Sequence, residues 1–369
     1  MFSEVHKNFG FGCMRLPMKG GKIDYTEFNK MIDAFIENGF NYFDTAHGYH
    51  DGLSETAIRD CISARYPRDK FLLTNKLTEP YFKTESEIRP FFQSQLKLCG
   101  VDYFDFYLMH AQNKDNYEHF KRCRAYETAL ELKNEGKIKH FGISFHDTPE
   151  VLEKILTEYP QVEAVQIQFN YLDYEDPAIQ ARRCYEVCRK FNKPVIVMEP
   201  VKGGSLVNLP EDAQKYFDAL GSQSNASYAL RFAAGFDGVF MVLSGMSDLK
   251  QMNDNISVMK EFKPLDIREK DAVAHVCAIF KNMDIIACTA CRYCTAGCPK
   301  KISIPDLFAC LNTKNVHHDW NADYYYTDVH TKSGGKASEC IECGKCEASC
   351  PQHLPIRKLL KDVAAEFEK

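Results

Sequence analysis

The stretch YTEFNKMIDAFIENGFNYFDT, residues 25–45, contains the unit from which most of this chain is built. Its first part carries apolar residues at helical spacing, and its last part, FNYFDT, is a short aromatic run typical of a strand. Gly39 stands between the two parts, where a helix often ends on a residue with positive φ. The stretch therefore predicts a helix, a tight turn and a buried strand.

The same alternation of helix and strand continues to about residue 260. Gly100 and Gly136 also precede strands, as Gly39 does. Eight βα units with almost continuously apolar strands predict an α/β fold, a (β/α)8 TIM barrel. The strands are expected near FGFGCMRL and at FNYFDT, KFLLTNK, YFDFYLMH, IKHFGIS, AVQIQF, PVIVME and GVFMVLS.

The composition is that of a globular protein with a sizeable core, with 45% hydrophobic and 26% charged residues in a chain of 369. The net charge of -5, and a tail from residue 281 with 12 basic and 11 acidic residues, give no basic surplus. We therefore expect no nucleic-acid binding and, without a long apolar run, no membrane span. The N-terminus does not resemble a secretory signal, so a cytoplasmic protein with reduced thiols is expected.

Ionisable residues stand at or just after the ends of three successive predicted strands. They are Asp44 and Tyr49 in FDTAHGY, Lys76 in LLTNK and His110 in LMH. In a barrel of this kind, reacting groups lie at the carboxyl ends of the strands. Reduction of a carbonyl leaves an alkoxide that needs a proton, and a lysine ammonium beside a tyrosine favours release of the phenolic proton.

These segments resemble the aldo-keto reductase family over roughly residues 5 to 260. The resemblance implies a catalytic tetrad in which Tyr49 donates the proton, Asp44 and Lys76 activate it, and His110 orients the carbonyl. It also implies a small-molecule carbonyl or alcohol as substrate.

The cofactor side is predicted from the later strand ends. No G-x-G-x-x-G segment opens a helix after a strand, so a Rossmann domain is not expected. Gly203, Gly204 and Gly245 lie in loops after the seventh and eighth strands, where barrels often bind phosphate. The family resemblance adds Ser144, His146 and Gln166 at the nicotinamide and ribose, and Gln251 and Asn255 near adenine. NAD(P)H is the expected cofactor, although Lys250 is the only cation between residues 244 and 255.

The tail carries the spacing C-x-x-C-x-x-C-x-x-x-C-P twice. This spacing is typical of ferredoxins with two 4Fe-4S clusters, in which the fourth cysteine of each run binds the other cluster. Zinc sites rarely place four cysteines so closely, twice over. The predicted ligands are Cys288, Cys291, Cys294 and Cys350 for one cluster, and Cys340, Cys343, Cys346 and Cys298 for the second.

We expect a barrel over residues 1–262, a charged linker over 263–280, and a smaller, mainly helical ferredoxin-type domain over 281–369. The insert between the two cysteine runs is too long for a compact β-type ferredoxin. Its His317, His318 and Trp320 are interpreted as packing or solvent-facing residues rather than ligands.

The sequence leaves three functions open. The first is an oxidoreductase that interconverts a carbonyl and an alcohol, with the clusters serving electron transfer. Because a cluster carries one electron and a hydride carries two, the second is a flavin enzyme, with FMN in the barrel and electrons from a ferredoxin or another electron-transfer partner. The third is a nucleotide-binding redox sensor or subunit without turnover.

Overall fold

Eight parallel strands close into a barrel in the computed structural model of the protein, which describes residues 2–283, 285–317 and 321–368. The order around the barrel is β1-β10-β9-β8-β7-β6-β5-β4, and β2 and β3 form a separate antiparallel pair. The strands are β1 (Phe9–Gly12), β2 (Met18–Lys19), β3 (Lys22–Ile23), β4 (Tyr42–Asp44), β5 (Leu72–Leu77), β6 (Phe104–Gln112), β7 (Ile138–Phe145), β8 (Ala164–Gln168), β9 (Val195–Met198) and β10 (Val239–Ser244).

All eight predicted barrel strands are present. Every residue of β4, β5, β8 and β10 is buried, because these strands are covered on both faces, and this explains their almost continuous apolar sequences. The parallel register aligns Asp44 of β4 with Thr74 of β5, and Lys76 of β5 with Leu108 of β6. The carboxyl ends of β4, β5 and β6 consequently share one rim.

The helices end largely as the glycines predict. Gly39, Gly100 and Gly136 have φ values of 83°, 68° and 74°, which only glycine adopts without strain. The helical segment between β6 and β7 is divided into two helices, α4 and α5, by Arg124, which lies in the left-handed region. The helices are α1 (Tyr25–Glu37), α2 (Leu53–Ile58), α3 (Glu85–Cys99), α4 (Lys114–Arg122), α5 (Ala125–Asn134), α6 (Pro149–Glu158), α7 (Ala181–Lys190), α8 (Glu211–Asp218), α9 (Asn225–Ala234), α10 (Leu249–Met259), α11 (Ile267–Lys281), α12 (Tyr293–Ala296), α13 (Ile304–His317), α14 (Asn321–Tyr324), α15 (Lys345–Ala348) and α16 (Ile356–Phe367).

Backbone contacts divide the chain into two compact units. The first is the barrel, Met1–Asp176, Gln180–Pro200 and Ala226–Leu265. The second contains Pro177–Ile179, Val201–Asn225 and Asp266–Lys369, and it includes the loop that follows β9.

The second unit is helical in its described residues, as expected. The segment predicted as a linker, residues 263–280, contains most of α11. The core of the tail is formed by α13 and α16, where Leu307, Phe308 and Val363 are fully buried. The predicted roles of His317, His318 and Trp320 concern side chains that lie outside the described part of the structure. No helix in the described ranges has the length and apolar character needed to cross a membrane.

Candidate active site and cluster sites

Three predicted catalytic residues meet at the rim of β4 and β5. Lys76 is fully buried, and its Nζ donates to Asp44 Oδ1 at 2.6 Å and to the Thr45 carbonyl at 2.8 Å. The same Nζ also donates to the Tyr49 hydroxyl at 3.4 Å. A buried ammonium needs such partners, since an unpaired charge in the interior is very costly. The arrangement fixes one cation beside a half-buried phenol.

His110 completes the set on β6. Its Nδ1 lies 2.8 Å from the Thr78 hydroxyl, and its ring stands edge-on to the Tyr49 ring at 6.2 Å between centroids. No side chain of the described residues hydrogen-bonds to the other ring nitrogen, Nε2. One nitrogen of His110 is therefore held by the protein and the other remains for a ligand.

Burial and charge set the protonation states here. Burial, followed by the positive charge of Lys76 and by His146, holds the pKa of His110 well below its usual value. The imidazole is accordingly neutral near pH 7. Burial raises the pKa of Asp44, although the neighbouring Lys76 opposes the shift. The charge of Asp44 thus depends on its partner.

A buried polar network under the site was not predicted from the sequence. The Glu55 carboxylate, which is fully buried, accepts from Asn75 Nδ2 at 2.7 Å and lies 2.7 Å from His47 Nδ1. Gln95 donates to the Lys76 carbonyl at 3.1 Å and accepts from Tyr107 at 2.6 Å. These contacts position β5.

The network was missed because Glu55 and Gln95 lie on helices, away from the strand ends. A signal existed in α3, where Gln95 occupies the apolar face formed by Ile88, Phe92, Leu96 and Cys99. A polar residue at such a position has a buried partner.

The residues predicted at the nicotinamide lie on β7 and β8, in neighbouring strands. Ser144 pairs with Gln166 in the register, and Gln166 Nε2 donates to Asp44 Oδ2 at 3.2 Å. The Ser144 hydroxyl is buried and has no hydrogen-bond partner within the described residues. A buried hydroxyl left in this state costs free energy, so the position fits a ligand with an amide group. His146 follows β7 directly.

The loop after β10 and the helix α10 that follows it contain Gly245 and the predicted adenine-side residues. Asn255 is buried on α10 and donates to the Ser244 hydroxyl at 3.0 Å. Gln251 is exposed; its amide donates to Asp248 Oδ2 and accepts from the Ser247 N–H, while Asp248 caps the start of α10. A Cβ on Gly245 would lie 3.3 Å from the Arg15 side chain, which would have to shift slightly to make room for it.

Gly203 and Gly204 belong to the second unit, unlike the other predicted cofactor residues. A Cβ on Gly203 would lie 2.5 Å from the Thr289 carbonyl oxygen, whereas one on Gly204 would meet nothing within 4 Å. Gly203 thus permits a close approach to the first cysteine run. Lys202 beside it is buried, with Nζ 3.4 Å from Gln352 Oε1. The structure gives Gly203 a packing role that the sequence did not predict.

The eight motif cysteines surround two cavities in the second unit. Cys288, Cys291, Cys294 and Cys350 line one of them. The other is lined by a second set: Cys298, Cys340, Cys343 and Cys346. Each set combines three cysteines of one run with the last cysteine of the other, which is the predicted crossed arrangement.

The cavities suit a group larger than one ion. Zinc–sulfur bonds of about 2.3 Å would gather four thiolates around a single point. In the described residues, no three His, Cys, Asp or Glu side chains converge in that manner. Thiolates on the walls of a cavity fit a multi-iron cluster instead.

Comparison with known proteins gives the family. The sequence matches the Aldo/keto reductase family over residues 8–276 and a 4Fe-4S dicluster domain over residues 287–355. This chain belongs to the aldo/keto reductase family. The reductase is an oxidoreductase with a ferredoxin-like iron–sulfur domain attached to its barrel.

Relatives of the reductase differ widely from it in sequence. The uncharacterized oxidoreductase YqkF of Bacillus subtilis (strain 168) is 25% identical over 285 residues, 67% of this chain and 85% of the relative. The NADH-specific methylglyoxal reductase of Escherichia coli (strain K12) is 27% identical over 196 residues, 47% of this chain and 57% of its own length.

Solved structures share the fold of the reductase. The aldo-keto reductase AKR11C1 from Bacillus halodurans in its holo form has a TM-score of 0.58 at 24% identity, covering 73% of this chain and 92% of its own. An aldo/keto reductase from Klebsiella pneumoniae in complex with NADP and acetate has a TM-score of 0.60 at 19% identity, with shares of 73% and 90%.

Proposed function

We propose that the reductase interconverts a carbonyl and an alcohol at Tyr49 with a nicotinamide cofactor, and that two 4Fe-4S clusters in the tail transfer electrons. The observation that carries the first part is the contact of Lys76 Nζ with both Asp44 and the Tyr49 hydroxyl. A pure nucleotide-binding protein has no need of a buried ammonium beside a phenol. Both parts also follow the family matches.

Tyr49 is the proton donor in this proposal. Its hydroxyl would protonate the oxygen of the carbonyl as the alcohol forms, and the Lys76 ammonium at 3.4 Å would stabilise the phenolate left behind. Asp44 holds Lys76 in place through the 2.6 Å bond, so the ammonium does not turn away from the phenol.

His110 orients the carbonyl. If the Thr78 hydroxyl donates to Nδ1, the ring proton resides on Nε2 and can donate to the carbonyl oxygen. Because its pKa is low, the imidazole is neutral and does not compete with Tyr49 as an acid. The carbonyl oxygen of the substrate would thus accept hydrogen bonds from Tyr49 and His110, and Tyr49 would deliver the proton.

A bound nicotinamide would supply the hydride. Ser144, with its buried hydroxyl, would bind the carboxamide, and Gln166 lies beside it in the register. Gly245, Gln251 and Asn255 would hold the adenine side. We propose NAD(P)H without a choice of nucleotide, since Lys250 is exposed and stands alone as a cation in the 244–255 loop.

The test of the barrel proposal is turnover by Tyr49→Phe in anaerobically purified, cluster-loaded protein. Methylglyoxal is the first probe, because a relative of the reductase carries that name. NADH or NADPH oxidation should fall by about 10²–10⁴-fold. The matched control, Tyr25→Phe at the exposed start of α1, should retain wild-type activity. An active Tyr49→Phe enzyme would exclude this mechanism.

The same preparation separates the alternatives. Denaturation should release a nicotinamide nucleotide, whereas released FMN would favour the flavin enzyme. Absence of turnover on a panel of aldehydes and ketones, with tight nucleotide binding, would favour the redox sensor.

The cluster proposal is tested by iron content. Two 4Fe-4S clusters require about eight irons per chain. Cys298→Ala should lower the content to about four, because the second cavity loses a ligand. Cys310→Ala is the control, since this buried cysteine lines neither cavity. A full iron content in Cys298→Ala would contradict the crossed arrangement.

A further inference from the structure

The two cluster cavities differ in their exposure to solvent. The cavity of Cys298, Cys340, Cys343 and Cys346 includes the one motif cysteine that is exposed, Cys343. Ile341, which also lines this cavity, is 57% exposed. The cysteines of the other cavity are buried or half-buried.

The cavities also differ in charge. Lys300 and Lys345 line the second cavity, are exposed, and form no side-chain hydrogen bond or ion pair in the described part of the chain. The remaining cation there, Arg357, is bound to Glu347 at 2.7 Å. None of the described residues that line this cavity is a carboxylate. Two lysines without a carboxylate partner among the described residues therefore stand beside an exposed cysteine.

The first cavity lacks such a surface. Among its described lining residues the one cation is Arg292, which donates two hydrogen bonds of 3.0 and 2.6 Å to the Asp306 carboxylate. A two-bond arginine–carboxylate pair is electrically neutral and geometrically fixed. The two cavities therefore differ in the charge that their described lining residues present to solvent.

We propose that the surface formed by Lys300, Ile341, Cys343 and Lys345, the exposed cluster face, docks an acidic one-electron carrier protein. This inference rests on the proposed cluster function and adds the site and the charge of the partner. The lysines would steer an acidic surface toward the cluster, and Ile341 would supply a small apolar contact. Redox partners form small interfaces of this type.

The step is a simple electron transfer. One electron leaves the reduced carrier and enters the oxidised cluster held by Cys343 and its three companions. The carrier is oxidised and the cluster is reduced, and no bond or proton changes place.

The experiment measures cluster reduction by stopped flow in the full chain. The probe is a reduced acidic 2[4Fe-4S] ferredoxin, compared with photoreduced 5-deazariboflavin, a neutral small reductant. The variant Lys300→Glu/Lys345→Glu reverses both charges. Its matched control, Lys270→Glu/Lys281→Glu, makes the same change at two exposed lysines of α11 in the same unit.

We expect reduction by ferredoxin to fall by at least about tenfold at low ionic strength in the first variant, and the loss to shrink in high salt. Reduction by deazariboflavin should stay unchanged, as should both rates in the control. Equal losses with both reductants would mean that the lysines serve the cluster itself, and equal losses in both variants would mean a general charge effect. Either result, or an unchanged ferredoxin rate, overturns the proposal.

A failure of the docking proposal can be distinguished from a failure of the proposed function. If ferredoxin reduces the cluster through this surface but methylglyoxal and other carbonyls are not turned over, only the barrel mechanism fails. If the clusters do not assemble, iron content shows it before any rate is measured. If NAD(P)H-dependent turnover and clusters are present but ferredoxin does not react, only the docking proposal fails.

Discussion

Replacing Lys76 by methionine should destabilise the barrel mainly through Asp44. The carboxylate is buried, 3% exposed, and the ammonium at 2.6 Å is its ionic partner. Removing one member of a buried ion pair costs about 3–5 kcal/mol, because the other charge is left in a poorly solvating interior. The Thr45 carbonyl also loses a donor, which adds to the cost.

The double variant Asp44→Asn/Lys76→Met should recover part of this loss. With both charges absent, only the cost of the unsatisfied Thr45 carbonyl and of imperfect packing remains, about 1–3 kcal/mol. The difference between the single and double variants is therefore expected to be about 2 kcal/mol. Two substituted residues more than about 10 Å apart, with no shared contacts, would show no such coupling energy.

The loss of unfolding free energy in Lys76→Met should also depend on pH. Burial raises the folded-state pKa of Asp44, and Lys76, together with the hydrogen bond from Gln166, opposes this rise. In Lys76→Met the folded-state pKa rises further, so ionisation of Asp44 destabilises the fold. That penalty is complete above the raised folded pKa and disappears as the pH falls below the unfolded value, near 4. The deficit of the single variant should consequently be larger at pH 8 than at pH 5.

The assay is hydrogen exchange of peptides from β5, measured by mass spectrometry as a function of urea. It reports the opening free energy of the barrel separately from that of the cluster unit. Equal deficits in the single and double variants at pH 8, or a deficit that does not change with pH, would refute the argument.

Three further outcomes are expected. Ser144→Ala should raise the melting temperature of nucleotide-free protein, because a buried unpaired hydroxyl is removed, while calorimetry shows nicotinamide binding weakened about tenfold. Gly203→Ala should lower the free energy of unfolding by about 1–3 kcal/mol more than Gly204→Ala does, as measured by thermal unfolding. Both glycines have positive φ, but only a Cβ on Gly203 would clash, with Thr289. Equal losses of stability in the two variants would contradict this reasoning. Although burial opposes the shift, hydrogen bonds from His140 and other groups lower the pKa of Glu163 to about 2, so its stabilising effect is present above pH 4.5 and is lost as the pH falls through 2. Glu163→Gln should flatten that part of the acid-unfolding curve, and an unchanged curve would contradict this reasoning.

The barrel was predictable because its strands are buried on both faces. Apolar runs, and the glycines at 39, 100 and 136, locate the strands and the turns without any tertiary information. Asp44, Lys76 and His110 could be placed on one rim because parallel strands end on the same side. The cysteine spacing likewise predicted the two sets that line the cavities.

The remaining features depend on contacts between distant segments. Sequence showed Gly203 as a loop glycine, and only its distance to Thr289 assigns the loop after β9 to the second unit. The role of Glu55 and Gln95 follows from their hydrogen bonds to β5, and no local sequence pattern reveals these contacts. Lys300 and Lys345 differ from Arg292 and Arg357 because the two arginines have carboxylate partners, and the sequence does not show these ion pairs.

Deuterium transfer tests the central claim most directly. The reductase is incubated without oxygen with methylglyoxal and NADH or NADPH carrying deuterium at both C4 positions of the nicotinamide, and the alcohol is analysed by mass spectrometry. We predict deuterium on the former carbonyl carbon with wild-type protein and at least about 10²-fold less product with Tyr49→Phe. Alcohol without deuterium, or labelled alcohol formed equally well by Tyr49→Phe, would contradict the account.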